Sequence, residues 1–235
     1  MSAAELNVLQ VIAIYAIPVI LAITLHEASH GYVALRFGDT TAFAAGRVSL
    51  NPIRHIDPVG TVIFPLVLLA MAKLLGGSSI VFGWAKPVPV NFANLRRPKH
   101  DMLWVAAAGP LSNVAMALLW ALLLKLGISM PGSYFGLPLA LMGAAGVFIN
   151  VIFTVLNLLP LPPLDGGRIL VSLLPHRLAR GVARIEPYGF AIVLVLLVSG
   201  ALSFMLWPLI RVSMSLVAAA LGVPLHELYR LAQLL

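Results

Sequence analysis

Within the run His26-Glu27-Ala28-Ser29-His30, two imidazoles stand four residues apart with a carboxylate next to the first. In a helix, positions i and i+4 share a face, so both rings can reach one Zn²⁺ at about 2.0–2.1 Å while Glu27 takes a proton from an attacking water. That is the chemistry of metal-assisted hydrolysis. The competing reading is a pair of core histidines hydrogen-bonded to a neighbouring helix. The run lies in an apolar stretch, however, where ionisable residues are costly enough to require a reason. A catalytic zinc usually has three protein ligands and an open position. The chain has no cysteine, so the third ligand is expected from another His, Asp or Glu. Asp165 is the best candidate. It stands in Asn157-Leu158-Leu159-Pro160-Leu161-Pro162-Pro163-Leu164-Asp165-Gly166-Gly167, where the prolines interrupt a helix and the glycines let the backbone bring a short carboxylate onto a metal. Asp before Gly is also ordinary turn chemistry at a helix end, so topology has to decide between the two.

The elements that position these residues are apolar runs at about 9–33, 59–75, 102–124, 137–159 and 188–210, followed by an amphipathic tail, 213–235. The first run follows no Lys or Arg and lacks a small-residue cleavage site, so it is expected to stay as a helix. The second is short, contains Pro65 and ends at Lys73 and Gly76-Gly77. Between the runs lie Arg36, Arg47 and Arg54, then Arg96, Arg97 and Lys99, then Arg168, Arg177, Arg180 and Arg184, whereas 127–136 carries no charge. The positive-inside rule places all three basic groups in the cytoplasm. That requires an even number of crossings over 59–91, which predicts a re-entrant hairpin whose Pro-rich stretch 81–91 returns as extended chain against protein or a wet cavity. Under this topology the C-terminal ends of 9–33 and 137–159 arrive on one side, and His26, His30 and Asp165 can meet. An odd number of crossings would separate them by most of a bilayer.

Composition limits the class of protein. The chain has 235 residues, 61% of them hydrophobic and only 10% charged, and its mean hydropathy is +1.02. A soluble enzyme, a disordered chain and a nucleic-acid binder are all excluded by that balance. The net charge of +7 is the usual topogenic excess of cytoplasmic loops rather than a sign of a nucleic-acid partner. The expected fold is all-α and polytopic, a transmembrane helix bundle with a re-entrant hairpin containing short extended segments. No repeat is evident and no soluble stretch is long enough for an added domain, so residues 1–235 are read as one membrane-embedded domain.

Other polar residues have competing explanations. Asn150, Thr154 and Asn157 form one stripe on an apolar helix, which for Asn150 and Thr154 fits interhelical hydrogen bonding, with Asn113 as a candidate partner. His55 and Asp57 fit a solvated loop better than a substrate gate. Gly109 and Asn113, at helical spacing, fit close helix packing better than catalysis. His226-Glu227-x-x-Arg230 lacks a second histidine and is explained by a polar helix face, and His100 and His176 sit among basic loop residues.

His26-Glu27-x-x-His30 in an apolar span, with Asn157-x-x-Pro160 and Asp165-Gly166-Gly167, resembles the site-2 protease family of intramembrane zinc metalloproteases. Gly109-Pro110-Leu111-Ser112-Asn113, Asn51-Pro52 with His55 and Asp57-Pro58, and Gly83-Trp84-Ala85-Lys86-Pro87-Val88-Pro89-Val90-Asn91 agree with it. The resemblance implies a core of three transmembrane helices and one Zn²⁺ per chain held by His26, His30 and Asp165. It also implies Glu27 as catalytic base, and Asn157 near the metal as a hydrogen-bond donor to the scissile carbonyl or its oxyanion. The implied substrate class is a transmembrane protein or peptide cleaved inside or at the edge of the membrane, and the expected setting a multi-pass protein of a prokaryotic cell membrane with its active site facing the cytoplasm. No PDZ or CBS domain fits in the chain, which is similar to the compact bacterial and archaeal forms. An unwound substrate could add as a strand along 81–91, at Val88, Val90 and Asn91; an inert Pro-rich loop is the equal alternative. The rival class is a non-proteolytic membrane metal-binding or transport protein using the same His and Asp residues, for which Glu27 would have no purpose.

Overall fold

The computed structural model describes residues 6–63, Val67 and 85–233. All regular elements among them are helical. The helices are α1 (Val8–Arg36), α2 (Thr41–Ala44), α3 (Pro98–Ile128), α4 (Gly136–Asn157), α5 (Asp165–Leu173), α6 (His176–Ala183), α7 (Glu186–Val198), α8 (Ala201–Leu221) and α9 (Leu225–Gln233). Four of them, α1, α3, α4 and α8, are long and apolar enough to cross a bilayer, so the chain is an integral membrane protein. Their outer faces carry exposed Leu9, Ile12, Ile17, Leu119, Leu122, Phe204 and Trp207, a pattern stable only where the solvent is itself apolar.

Local sequence explains where the helices start and how closely they pack. At the head of α1, the Asn7 side chain accepts from the Gln10 N–H and the Gln10 side chain accepts from the Asn7 N–H, each at 2.9 Å, which satisfies two of the four orphan donors. Helix α4 is the most enclosed span and lies against α3 through small residues. A Cβ on Gly127 would come within 2.8 Å of Ala140 Cα, and one on Gly143 within 2.6 Å of Leu124 Cα. Backbones that close need glycine, and van der Waals packing of this kind is what holds helices together in lipid.

Both ends of the expected hairpin are at one end of the bundle. The Arg96 N–H donates to Phe37 O at 3.0 Å and the Lys86 N–H to His55 O at 2.9 Å, while Leu95 packs with Ala34 and Val105. The chain therefore leaves the end of α1 and returns to it before α3. Pro58–Ile63 forms a wide π-type turn and residues 85–91 run without regular structure, with no strand among the described residues. Pro65, Lys73, Gly76-Gly77 and the 81–84 part of the expected extended stretch lie outside the described residues.

The last spans differ from the sequence reading. The apolar run 188–210 is broken at Ser199-Gly200 into α7 and α8, because Gly200 adopts a left-handed backbone, φ 76°, which a helix cannot continue. Helix α8 then extends through the first part of the expected tail 213–235. A second left-handed glycine, Gly222 at φ 61°, with Pro224 two residues on, ends it. Helices α6 and α7 meet at a 59° bend.

Candidate metal centre

Helix α1 carries His26 and His30 on one face, and their rings meet edge to face with centroids 4.7 Å apart. Asp165, the first residue of α5, approaches from the end of the Pro-rich linker after α4. His26 Nε2 lies 3.1 Å from His30 Nε2, and Asp165 Oδ2 lies 3.2 Å from the first and 3.4 Å from the second. All three residues are buried. The glycines after Asp165 are required by space rather than by φ. A Cβ on Gly166 would strike the Leu158 carbonyl, and one on Gly167 the Leu161–Pro162 peptide.

Hydrogen bonds place a hydrogen on Nδ1 of both rings. Gly146 O can only accept, so the amide that meets it is the Asn150 Nδ2, at 2.8 Å, which turns Asn150 Oδ1 toward Asn113 Nδ2 at 2.9 Å. The Asn113 Nδ2 also donates to Ala22 O, leaving Asn113 Oδ1 as the acceptor 2.6 Å from His26 Nδ1. That histidine must then donate from Nδ1. His30 Nδ1 is held in the same way by Val105 O at 2.7 Å. As neutral rings, both then present Nε2 lone pairs toward a buried carboxylate oxygen, and Asp165 Oδ2 receives no hydrogen bond among the described residues. Three converging acceptors repel one another unless a cation lies between them. Their separations match the edge of a tetrahedron of ligands around zinc, about 3.3 Å. The residues present fit a metal, and they form the one such cluster among the described residues.

Gly109 on α3 leaves the room. A Cβ there would stand 2.6 Å from His26 Nε2, inside the space the cluster encloses. Gly109 and Asn113, which the sequence reading assigned to packing, thus border and orient the cluster. Their signal was the i, i+4 spacing of a small and a polar residue on an apolar helix. Asn150 bonds across to Asn113 as expected, at 2.9 Å, whereas Thr154 donates to Asn150 O on its own helix at 2.8 Å and reaches Pro110 O of α3 only at 3.5 Å.

Glu27 is half-buried beside the cluster, and its Oε2 accepts the Val88 N–H at 2.8 Å. The Asn91 N–H is likewise committed, to Asp39 Oδ2 at 2.7 Å. Of the three residues expected along a substrate edge, Val90 alone has an N–H with no partner among the described residues. Asn157 donates to Phe153 O at 3.0 Å on its own helix and joins none of the contacts of the cluster. His55 is not solvated as expected. It is fully buried, with Nε2 donating to Ser49 O at 2.8 Å, because the loop folds back under residues 85–88. His176 and His226 are exposed.

A family model described as Peptidase family M50 matches residues 135–200, which contain α4 and Asp165. The chain is 39% identical over 199 residues to the candidate zinc metalloprotease YwhC of Bacillus subtilis, covering 83% of this chain and 84% of that protein. It is 32% identical over 184 residues to the candidate zinc metalloprotease Rip2 of Mycolicibacterium smegmatis, covering 78% and 66%. With the candidate zinc metalloprotease MJ0611 of Methanocaldococcus jannaschii it shares 28% over 182 residues, covering 77% and 75%. No solved structure gives a significant match.

Proposed function

The chain belongs to peptidase family M50 and is a metalloprotease, and from that premise we propose that it is an intramembrane zinc endopeptidase cleaving transmembrane segments of membrane proteins. The observation that carries this reading is the convergence of His26 Nε2, His30 Nε2 and Asp165 Oδ2 within 3.4 Å of one another, with the Glu27 carboxylate alongside, three of the four residues on the membrane helix α1 and Asp165 brought to them by the linker after α4. When bound, zinc supplies a Lewis acid for the scissile carbonyl and the attacking water. His26, His30 and Asp165 would hold it, the two rings kept as Nδ1–H tautomers by Asn113 and Val105 O.

The chain's own groups do the rest. Glu27 has one carboxylate oxygen on the Val88 N–H and the other, without a partner among the described residues, to accept a proton from water and pass it to the leaving amide nitrogen. Asn157, released from Phe153 O, would donate its amide to the carbonyl oxygen as charge develops there. A substrate helix must first unwind, since its peptide groups are already paired and shielded. The backbone near Val88, Val90 and Asn91 would then hold the extended segment, starting from the Val90 N–H. The whole chain acts as a single membrane-embedded domain, with the cluster at the cytoplasmic face where the three basic groups lie.

The test is cleavage of a membrane-spanning reporter in proteoliposomes with zinc measured on the same preparation. Glu27→Gln should retain one zinc per chain and lose cleavage, because the amide matches the carboxylate in size but cannot take the proton. Asp165→Ala should lose zinc as well as cleavage. Parental cleavage by Glu27→Gln would remove it as the base, and parental zinc affinity in Asp165→Ala would remove Asp165 from the ligand set.

A further inference from the structure

The chain on either side of the hairpin is gathered by one guanidinium. Arg47, only 9% exposed, donates to Arg54 O before the hairpin and to Lys86 O at 2.8 Å and Pro87 O at 3.2 Å after it. No carboxylate is among these partners. A nearly buried cation whose partners among the described residues are all backbone carbonyls is a costly arrangement, and what it achieves is to fix where residues 86–87 lie. The other end of the same segment is held by the opposite charge. Asp39, fully buried, accepts from the Asn91 N–H at 2.7 Å, from Asn94 Nδ2 at 3.1 Å and from the N–H and hydroxyl of Thr41. Burial acts to raise its pKa, but the donors from Thr41, Asn91 and Asn94 outweigh burial and hold the carboxyl below the usual carboxylate range.

Between the two anchors lies Val88. Pro87 and Pro89 flank it, so the tripeptide has a single N–H and restricted φ. That N–H is the one on Glu27 Oε2. The Val88 side chain is buried against Gly31, one turn along α1 from Glu27, where a Cβ would already stand 3.1 Å from Val88 Cγ1. Glycine at that position lets the segment reach the helix that carries the base.

We propose that Arg47 is a positioning residue for the reaction, clamping the two limbs of the hairpin so that the Val88 N–H holds the Glu27 carboxylate in the orientation that accepts the water proton. The proposal rests on the reading of Glu27 as base. Without the clamp, residues 86–87 are released, the only donor between the prolines loses its register, and Glu27 samples rotamers that point away from the water. Misplacement of a reacting group by about 1 Å can cost on the order of a hundredfold in rate. The loss should fall on kcat, because Arg47 reaches the reaction through Glu27.

The full chain in proteoliposomes decides it, with kcat, KM, zinc per chain and thermal midpoint measured for Arg47→Ala, Arg47→Lys and Glu27→Gln. Arg47→Ala should lower kcat about tenfold or more while zinc stays parental and KM changes less than kcat, because the Val90–Asn91 end offered to substrate stays on Asp39. Arg47→Lys, whose ammonium reaches only part of the three carbonyls, should recover an intermediate kcat. A parental kcat in Arg47→Ala overturns the clamp, as does a rise in KM with kcat unchanged, which would show that Arg47 acts only on the substrate edge and not on Glu27. If Arg47→Ala does not fold, Arg47→Lys decides alone: reduced kcat with full zinc supports the clamp, and parental kcat overturns it. Glu27→Gln separates the two ideas. Parental cleavage there defeats the base itself, whereas a dead Glu27→Gln beside a parental Arg47→Ala defeats only the clamp.

Discussion

Asn113 sits at the centre of a relay in which Gly146 O, Asn150 and Ala22 O orient one amide, and that amide orients His26. Each partner is buried, so the relay does not compete with bulk water. Asn113→Ala should therefore leave the His26 ring free to adopt the other tautomer, which turns an N–H toward the ligand cluster. Zinc affinity is expected to fall about 10–100-fold, measured by competition against a chelator, with helical content unchanged. Affinity equal to the parent would mean that burial alone orients the ring. His30 should be unaffected, since its Nδ1 partner is the Val105 carbonyl, which no side-chain substitution removes.

Among the elements, the break between α7 and α8 depends on one residue. Gly200 has φ 76°, and a Cβ there meets nothing within 4 Å, so a side chain would fit the space and strain only the backbone. Gly200→Ala is expected to destabilise the fold by about 1 kcal/mol, read from unfolding in detergent, while zinc content and cleavage stay parental. A stability unchanged or raised would show that the two helices can straighten into the single span that hydropathy suggested. Elsewhere glycine serves approach rather than turning. Gly109, Gly127 and Gly143 lie within helices and admit rings or backbone at distances a Cβ would forbid. Helix α3 thus contacts both the metal cluster and α4 with the same small-residue chemistry.

Across the whole molecule, charge and topology have to agree. The Phe37 O to Arg96 N–H bond and the Asp39 to Asn91 bond tie the exit of α1 to the entry of α3, so both chain segments emerge on one face. Single cysteines at Arg54 and Arg96, introduced into this chain without native cysteine, should both react with an impermeant thiol reagent added from the cytoplasmic side, and neither from the opposite side. Labelling from opposite sides would contradict the hairpin and with it the meeting of α1 and α5. Reaction of both from the outer side would keep the geometry and reverse the orientation. The basic residues Arg36, Arg54, Arg96, Arg97 and Arg168 near this face make the cytoplasmic result the expected one.

Read alone, the sequence determined the elements whose causes are local. Four-residue spacing on a helix put His26 and His30 on one face with Glu27 beside them, and apolar length marked out α1, α3 and α4, because both patterns are set by neighbours a few residues apart. Asp165 could be named from the prolines and glycines around it, yet whether it ended a helix or met the histidines depended on the crossings of a segment with ambiguous hydropathy. Tertiary structure decided what depends on distant partners. His55 looked like a loop residue until the segment 85–88 covered it, Asn113 looked like packing until its amide met His26, and Arg47 looked like a topogenic charge until three carbonyls converged on it. The run 188–210 read as one span because average hydropathy carries no record of a left-handed glycine. Burial and hydrogen-bond direction arise only when helices from separate parts of the chain exclude water and lipid together, and single-chain periodicity does not encode them.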